Sequence, residues 1–255
     1  LKLIFLGDVV GQAGVEFVAK NLWRLKKELG IDVTIINGEN SAQGNGITPD
    51  SFESLIRVGA DVVTTGNHCF RRKEVIPLYD KNDTLLRPAN FPDGTVGRGV
   101  TILDLGRAQI AVVNLMGTVY LDSLDNPFTV MDNVLKELDT PNIIVDLHAE
   151  ATAEKKALGF YLAGKVTAVL GTHTHVQTAD EAILEGGTAY ITDVGMTGPE
   201  ISVLGVQKEL AIEKLRTHCP VTFKESTSPC FMNAVTVEFN ERTGRAEKIE
   251  RLIVR

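Results

Sequence analysis

The stretch GTHTH at 171–175 sets His173 and His175 two positions apart in a chain that has only five histidines. On a strand, positions i and i+2 share a face, and in the loop just beyond a strand they can converge on one point. Imidazole is the commonest protein ligand for a metal ion. A pair of polar residues in a surface turn would look the same, so the reading depends on what else the chain offers. Earlier β-branched runs end in Asp8, in Asn37-Gly38-Glu39-Asn40, in Gly66-Asn67-His68 and in Asp146-Leu147-His148-Ala149-Glu150. Any one of these alone reads as a helix cap or a turn former. Five strand ends with the same ligand chemistry read together as one site.

The donor types constrain the ion. Carboxylate, amide oxygen and imidazole without thiolate suit iron, manganese or zinc rather than a Cys-rich structural zinc. Asp8, Glu39, Asn67, His148, His173 and His175 are too many for one ion and would fill two sites, with Glu39 the natural bridge. Paired ions can generate a hydroxide and neutralise the attacking and leaving oxygens of phosphoryl transfer. Adjacent residues in one turn rarely both ligate one ion, so with Asn67 on metal, His68 is better placed to meet substrate. As an imidazolium it could stabilise a phosphorane or protonate the leaving oxygen; the alternative is that it only orients Asn67. Asp146 and Glu150 flank His148 and could orient imidazoles, or equally be a strand residue and a helix cap.

These residues need elements to carry them. Strands are expected at 2–8, 33–39, 61–67, 142–148, 166–173 and 188–195, with helices around 13–29, 49–58, 72–80 and 152–163. Thr48-Pro49 is a good cap and first-turn pair for the second helix. Residues 99–117 read as two neighbouring strands joined by a tight turn, and the tail as a hairpin turning near 242–245. Mixed strands with helices outside predict one α/β domain over 1–255 with two packed sheets, and ligands in such folds bind beyond the carboxyl ends of strands. Residues 120–140 and 198–229 lack a core pattern and are expected as cap-like excursions.

Composition narrows the function. The chain of 255 residues is 44% hydrophobic, enough for a sizeable core, and its formal charge of −7 argues against a broad nucleic-acid surface. No apolar run reaches the roughly 18 residues of a membrane span, and the first residues resemble a core strand rather than a signal peptide. The expected location is the cytoplasm, with no membrane and no stable nucleic-acid partner. Three scattered cysteines make no disulfide framework. Gly7, Gly11 and Gly14 have the wrong spacing for a dinucleotide loop, and Gly164-Lys165 is no P-loop. Arg71-Arg72-Lys73 reads first as a solvated helix face, with attraction of an anionic substrate as the alternative. Gly44 and Gly46 permit either a turn or close backbone approach to a ligand. Cys69 beside His68 raises a thiol nucleophile, which paired metals make unnecessary.

The order Asp, acidic residue, GNH, His, GxHxH is similar to that of the calcineurin-like metallophosphoesterases. Longer stretches resemble one branch, the YmdB family of bacterial phosphodiesterases: GDVVG (7–11), NGENSAQGNGIT (37–48), TTGNH (64–68), LLRPANFP (85–92), NPF (126–128), DLHAEATAEK (146–155), GTHTHVQTADE (171–181) and AYITDVGMTGP (189–199). The resemblance spans most of the chain. It implies a four-layer αββα sandwich with two mixed sheets, a dinuclear metal centre and iron as the metal, with manganese or zinc as alternatives. It implies hydrolysis of 2′,3′-cyclic nucleotides such as 2′,3′-cAMP by attack of a metal-bound hydroxide. Carried over by motif, one ion takes Asp8, Glu39 and His175, and the other takes Glu39, Asn67, His148 and His173. The wider superfamily opens with Asp-x-His, where this chain has Val10, and has an aspartate where Glu39 stands. Asn40 is the candidate to replace the lost imidazole. Alternatives kept open are a metal-dependent phosphatase or RNA-processing hydrolase on another phosphate ester, and a nucleotide sensor without turnover. A homo-oligomer is compatible with all of them.

Overall fold

A computed structural model describes residues 1–255. Its first strand, β1 (Lys2–Leu6), already dictates the layering: Leu3 and Phe5 alternate with Ile4 and Leu6, and all four are fully buried. A strand buried on both faces must lie inside a stack. After it come β2 (Asp8–Val9), α1 (Gly11–Leu29), β3 (Val33–Asn37), α2 (Pro49–Arg57), β4 (Val62–Thr64) and α3 (Ile76–Lys81). The middle of the chain supplies β5 (Val100–Asp104), β6 (Gln109–Met116), α4 (Pro127–Glu137), β7 (Ile143–His148), α5 (Thr152–Leu162) and β8 (Ala168–Thr172). The last part supplies β9 (Ala182–Leu184), β10 (Thr188–Ile191), β11 (Met196–Pro199), α6 (Lys208–Thr217), β12 (Cys230–Phe239) and β13 (Ala246–Val254).

Two mixed sheets form. One runs β2-β11-β12-β1-β3-β4 with β13 also paired to β12, and the other runs β5-β6-β7-β8-β10-β9. Leu3, Phe5 and Ile35 from the first meet Val112, Ile144 and Leu170 from the second in a core between the sheets. Ile4, Leu6 and Ile36 face the opposite way, against Val18 and Leu22 of α1 and Phe52 and Leu55 of α2. On the far side Val113, Val145 and Val169 pack with Met131 of α4 and with Leu158 and Leu162 of α5. The result is the expected αββα sandwich. No helix is long and apolar enough to cross a membrane.

Most expected elements are present, and the departures have local causes. The first strand breaks at Gly7, where any Cβ would overlap the Gly195 carbonyl, and Asp8 restarts the chain in register with Met196 of β11. The strand expected over 61–67 stops at Thr64 because the chain leaves the sheet for the site. The helix near 72–80 is split into a 3₁₀ turn at Lys73–Val75 and α3. Thr48 caps α2 as its sequence suggests, its Oγ1 accepting from the Ser51 amide while the Ser51 hydroxyl accepts from the Thr48 amide. Within 120–140, α4 is preceded by Asn126, whose side chain caps it by accepting from the Phe128 amide, and buries Met131 in the outer core. Within 198–229, α6 buries only Ala211 and lies beside the site.

Phe5→Ala should therefore cost about 3–5 kcal/mol of unfolding free energy in denaturant titration. Trp23→Ala, on the exposed face of α1, should stay within about 0.5 kcal/mol.

Candidate metal centre

The carboxyl ends of strands from both sheets meet at one edge. Asp8 opens β2, Glu39 and Asn40 follow β3, and Asn67 and His68 follow β4. From the other sheet, His148 is the last residue of β7, and His173 and His175 lie in the loop after β8. Asp146, fully buried, ties the sheets together below this edge: Oδ2 accepts from the Thr64 hydroxyl (2.5 Å) and the Asn37 amide (3.0 Å), and Oδ1 from the Thr172 hydroxyl (2.7 Å). Burial pushes its carboxyl up to about 6 in spite of the nearby His148 and these bonds. With Thr172 donating to Asp146, its oxygen is left to accept from His148 Nδ1 at 3.0 Å. The His148 ring is thus oriented with Nε2 facing the site. The ring also lies flat against Gly66, where any Cβ would overlap it.

Two groups of acceptors result. Around His148 Nε2 lie Asn67 Oδ1 at 2.9 Å, His173 Nδ1 at 3.0 Å and Glu39 Oε1 at 3.2 Å. His173 Nε2 donates to Glu150 at 2.9 Å, which turns its Nδ1 lone pair inward. Ligand atoms of Glu39, His148 and His173 all lie within 4.8 Å of one another. The second group surrounds the Asn40 side-chain amide: Glu39 Oε1 at 3.1 Å, His175 Nε2 at 3.3 Å and Asp8 Oδ1 at 3.4 Å. Glu39 Oε1 belongs to both. Lone pairs packed this closely need a proton, an N–H or a cation between them, and the donor set of carboxylate, amide and imidazole fits a divalent transition metal. His175 Nδ1 is buried without a partner, so that ring is held from its Nε2 side alone.

The electrostatics agree. Burial opposes ionisation of Asp8 and Glu39, but His175 beside the first and His148 and His68 beside the second outweigh it, holding both below the ordinary carboxylate range. Burial would lower the His148 pKa, yet Glu39, with Asp8 and Asp146 behind it, pushes it up to about 9. Positive charge is favoured at the centre of this cluster.

The GTHTH loop is held under strain. His173 and His175 have φ of 104° and 63°, unusual for residues with a side chain. Asp8 Oδ2 accepts from the His173 amide at 3.1 Å, and Asp193 Oδ2 from the Thr174 amide at 3.0 Å. Lys155, buried under the loop, donates at 2.7 Å both to Asp193 and to the Thr172 carbonyl. Sequence reasoning gives this fully enclosed pair no role, although its residues lie in the DLHAEATAEK and AYITDVGMTGP stretches. Two signals pointed to it: Lys155 shares a helical face with Leu158 and Leu162, and Asp193 ends a β-branched run as Asp8 does.

Through its ring, His68 makes no hydrogen bond to Asn67. Its Nδ1 bonds Asn40 Oδ1 at 2.8 Å and lies 3.4 Å from Glu39, while its backbone amide donates to Glu39 Oε2. The ring also lines a cavity of about 460 Å³ above the two acceptor groups. Asp146 and Glu150, the two flanking acids, both orient imidazoles. Cys69 is buried and its thiol pKa is raised, by burial first and then by Glu39, which removes it as a nucleophile. Arg72 bonds the carbonyls of Gln43 and Asn45, so it braces the glycine-rich loop instead of facing a substrate. Gly44 and Gly46 sit at φ of 72° and 85°, as a turn requires.

Comparison with known proteins gives a consistent picture. The family model described as YmdB-like protein matches residues 4–252. A Bacillus subtilis protein named 2′,3′-cyclic-nucleotide 2′-phosphodiesterase is 45% identical over 256 residues, covering 100% of this chain and 97% of the relative. The crystal structure of a hypothetical protein from Thermus thermophilus superposes with a TM-score of 0.94 at 38% identity, over 99% of this chain and 98% of that one. A structure described as a novel phosphatase from Mycoplasma pneumoniae gives 0.95 at 35% identity, over 100% and 93%.

Lys155→Met leaves Asp193 charged and unpaired in the interior, and should destabilise the chain by about 3–5 kcal/mol. Adding Asp193→Asn should recover part of that loss in the same denaturation assay. Equal stability of the single and double variants would mean the pair is not coupled.

Proposed function

This chain belongs to the YmdB-like protein family, and on that premise we propose that it is a metal-dependent phosphodiesterase that opens 2′,3′-cyclic nucleotides. The observation that carries the reading is the sharing of Glu39 Oε1 between two groups of acceptors. In this reading one ion is held by Asp8, Glu39, Asn40 and His175, and the other by Glu39, Asn67, His148 and His173. Asn40 would offer the ion a lone pair of the same oxygen that accepts from His68 Nδ1, since an amide oxygen carries two. When bound, two such ions acidify a water and neutralise charge on phosphate oxygens; iron fits this donor set, with manganese or zinc as alternatives.

The chain's own groups do the rest. His68 donates through Nδ1 to Asn40, which directs the opposite edge of the ring toward the cavity. As an imidazolium it passes the Nε2 proton to the leaving ribose oxygen as its bond to phosphorus breaks and the water oxygen bonds to phosphorus. The product is a nucleoside monophosphate. Glu39 accepts from the His68 amide at 3.2 Å, which fixes that turn relative to the reacting centre. Glu150 and the Thr172–Asp146 pair hold His173 and His148 in the orientations that leave their inward nitrogens free. The substrate is a small nucleotide, and the proposed location is the cytoplasm.

Protein purified without chelator should hydrolyse 2′,3′-cAMP, lose that activity when its metal is stripped, and regain it with iron or manganese. Full activity in the stripped protein would contradict the reading, and turnover of a different phosphate ester alone would redirect it. His148→Ala should lose both metal and turnover. His68→Ala should keep its metal by elemental analysis while kcat falls about 10²–10⁴-fold; loss of metal instead would make His68 a structural residue.

A further inference from the structure

The cavity above His68 has two unlike walls. Its floor is polar, with Glu39, Asn40, His173 and His175. The facing wall comes from a single stretch of chain and is apolar: Val203, Leu204, Val206, Leu215 and Phe223. Leu215, on α6, is 71% exposed and Phe223, beyond its end, is 53% exposed, and α6 buries only Ala211. A contiguous apolar surface of this kind at the rim of a site marks a place where something binds. Phe223 is also held in position by its neighbours. The Gln207 amide donates to the Lys224 carbonyl at 2.9 Å, the Ser226 amide to Gly205 at 2.8 Å, and the Glu225 carboxylate accepts from the Gly44 amide at 3.1 Å.

We infer that this wall is the nucleoside subsite, with Phe223 stacking on the base and Leu204 and Leu215 flanking it while the phosphate lies against the floor at His68. The inference rests on the phosphodiesterase reading and adds what selects the substrate. A cavity of about 460 Å³ falls in the range that encloses a small ligand. The apolar wall and the phosphate-binding floor bound one and the same space, which matches the two halves of a nucleotide and leaves no room for a folded chain. Lys214 is the only polar residue that the 203–223 stretch contributes to the cavity lining. Every base has a π-face, so a shelf with so little hydrogen-bonding capacity accepts purines and pyrimidines alike and favours both over esters without a base.

The test compares three substrates, 2′,3′-cAMP, 2′,3′-cUMP and ribose 2′,3′-cyclic phosphate, on the metal-loaded wild type and on Phe223→Ala and Phe223→Tyr. In the wild type both nucleotides should have a higher kcat/KM than the base-less ester. Phe223→Ala should raise KM for both nucleotides about tenfold with kcat retained, leave the base-less ester unchanged, and be rescued by Phe223→Tyr. Equal effects on all three substrates, or no effect on any, would overturn the subsite. A changed oligomeric mass in Phe223→Ala with discrimination intact would also overturn it, by making the wall an interface between copies. If the wild type turned over none of the three, the activity reading would fail and the subsite with it. Turnover of all three at equal efficiency would overturn the subsite alone.

Discussion

Lone pairs brought within about 3 Å of one another repel unless positive charge lies among them, and this constraint organises the molecule. Asp8, Glu39, Asn67, His148, His173 and His175 present acceptors to a common space, with Glu39 at its middle. No local element would hold such a set together by itself. Rigidity comes from three apolar cores that fix the two sheets relative to each other and to the helices. Orientation comes from a layer of polar groups below the ligands: Asp146 through Thr172 to His148, Glu150 to His173, and Lys155 with Asp193 beneath the GTHTH loop. The strained φ values at His173 and His175 persist because that layer determines them.

Much of this was legible in the sequence because strand ends announce themselves. A β-branched run that stops at Asp, Glu, Asn or His gives both an element and a position at its carboxyl end, and six candidate ligands follow that way, with Asn40 added by the family resemblance. Two packed sheets followed from mixed strands with helices outside, and the four-layer order from the family resemblance; in the structure the full burial of β1 shows the same layering. What escaped depended on contacts between distant residues. One carbonyl, that of Gly195, explains why Gly7 divides the first strand, and the local pattern holds no trace of it. The helical spacing of Lys155 with Leu158 and Leu162 puts it on the buried face, but its partner Asp193 lies 38 residues away and no local pattern pairs the two. The choice of Asn40 over Asn67 as the neighbour of His68 depends on how two turns approach each other, which spacing along the chain does not encode.

On the proposed reading, chemistry and selectivity have separate origins in this fold. The groups that would hold metal and move protons stand on strand ends fixed by the cores. The apolar wall that faces them belongs to a surface stretch carrying α6, closed on itself by backbone bonds between 205–207 and 224–226 and tied to the glycine-rich loop by Glu225. Such a stretch can change its side chains with little effect on the sheets, because only Ala211 of its helix is buried. A binding surface on a weakly packed connection above a rigid catalytic floor is a common solution to the opposing demands of precision and adaptability.

The central claim is that two cations occupy the two acceptor groups joined by Glu39. Anomalous diffraction at a transition-metal edge, from crystals of protein purified without chelator, tests it most directly. The account predicts two separate peaks, one among Asp8, Glu39, Asn40 and His175 and the other among Glu39, Asn67, His148 and His173. A single peak, or peaks away from Glu39 in protein that is fully active, would contradict it.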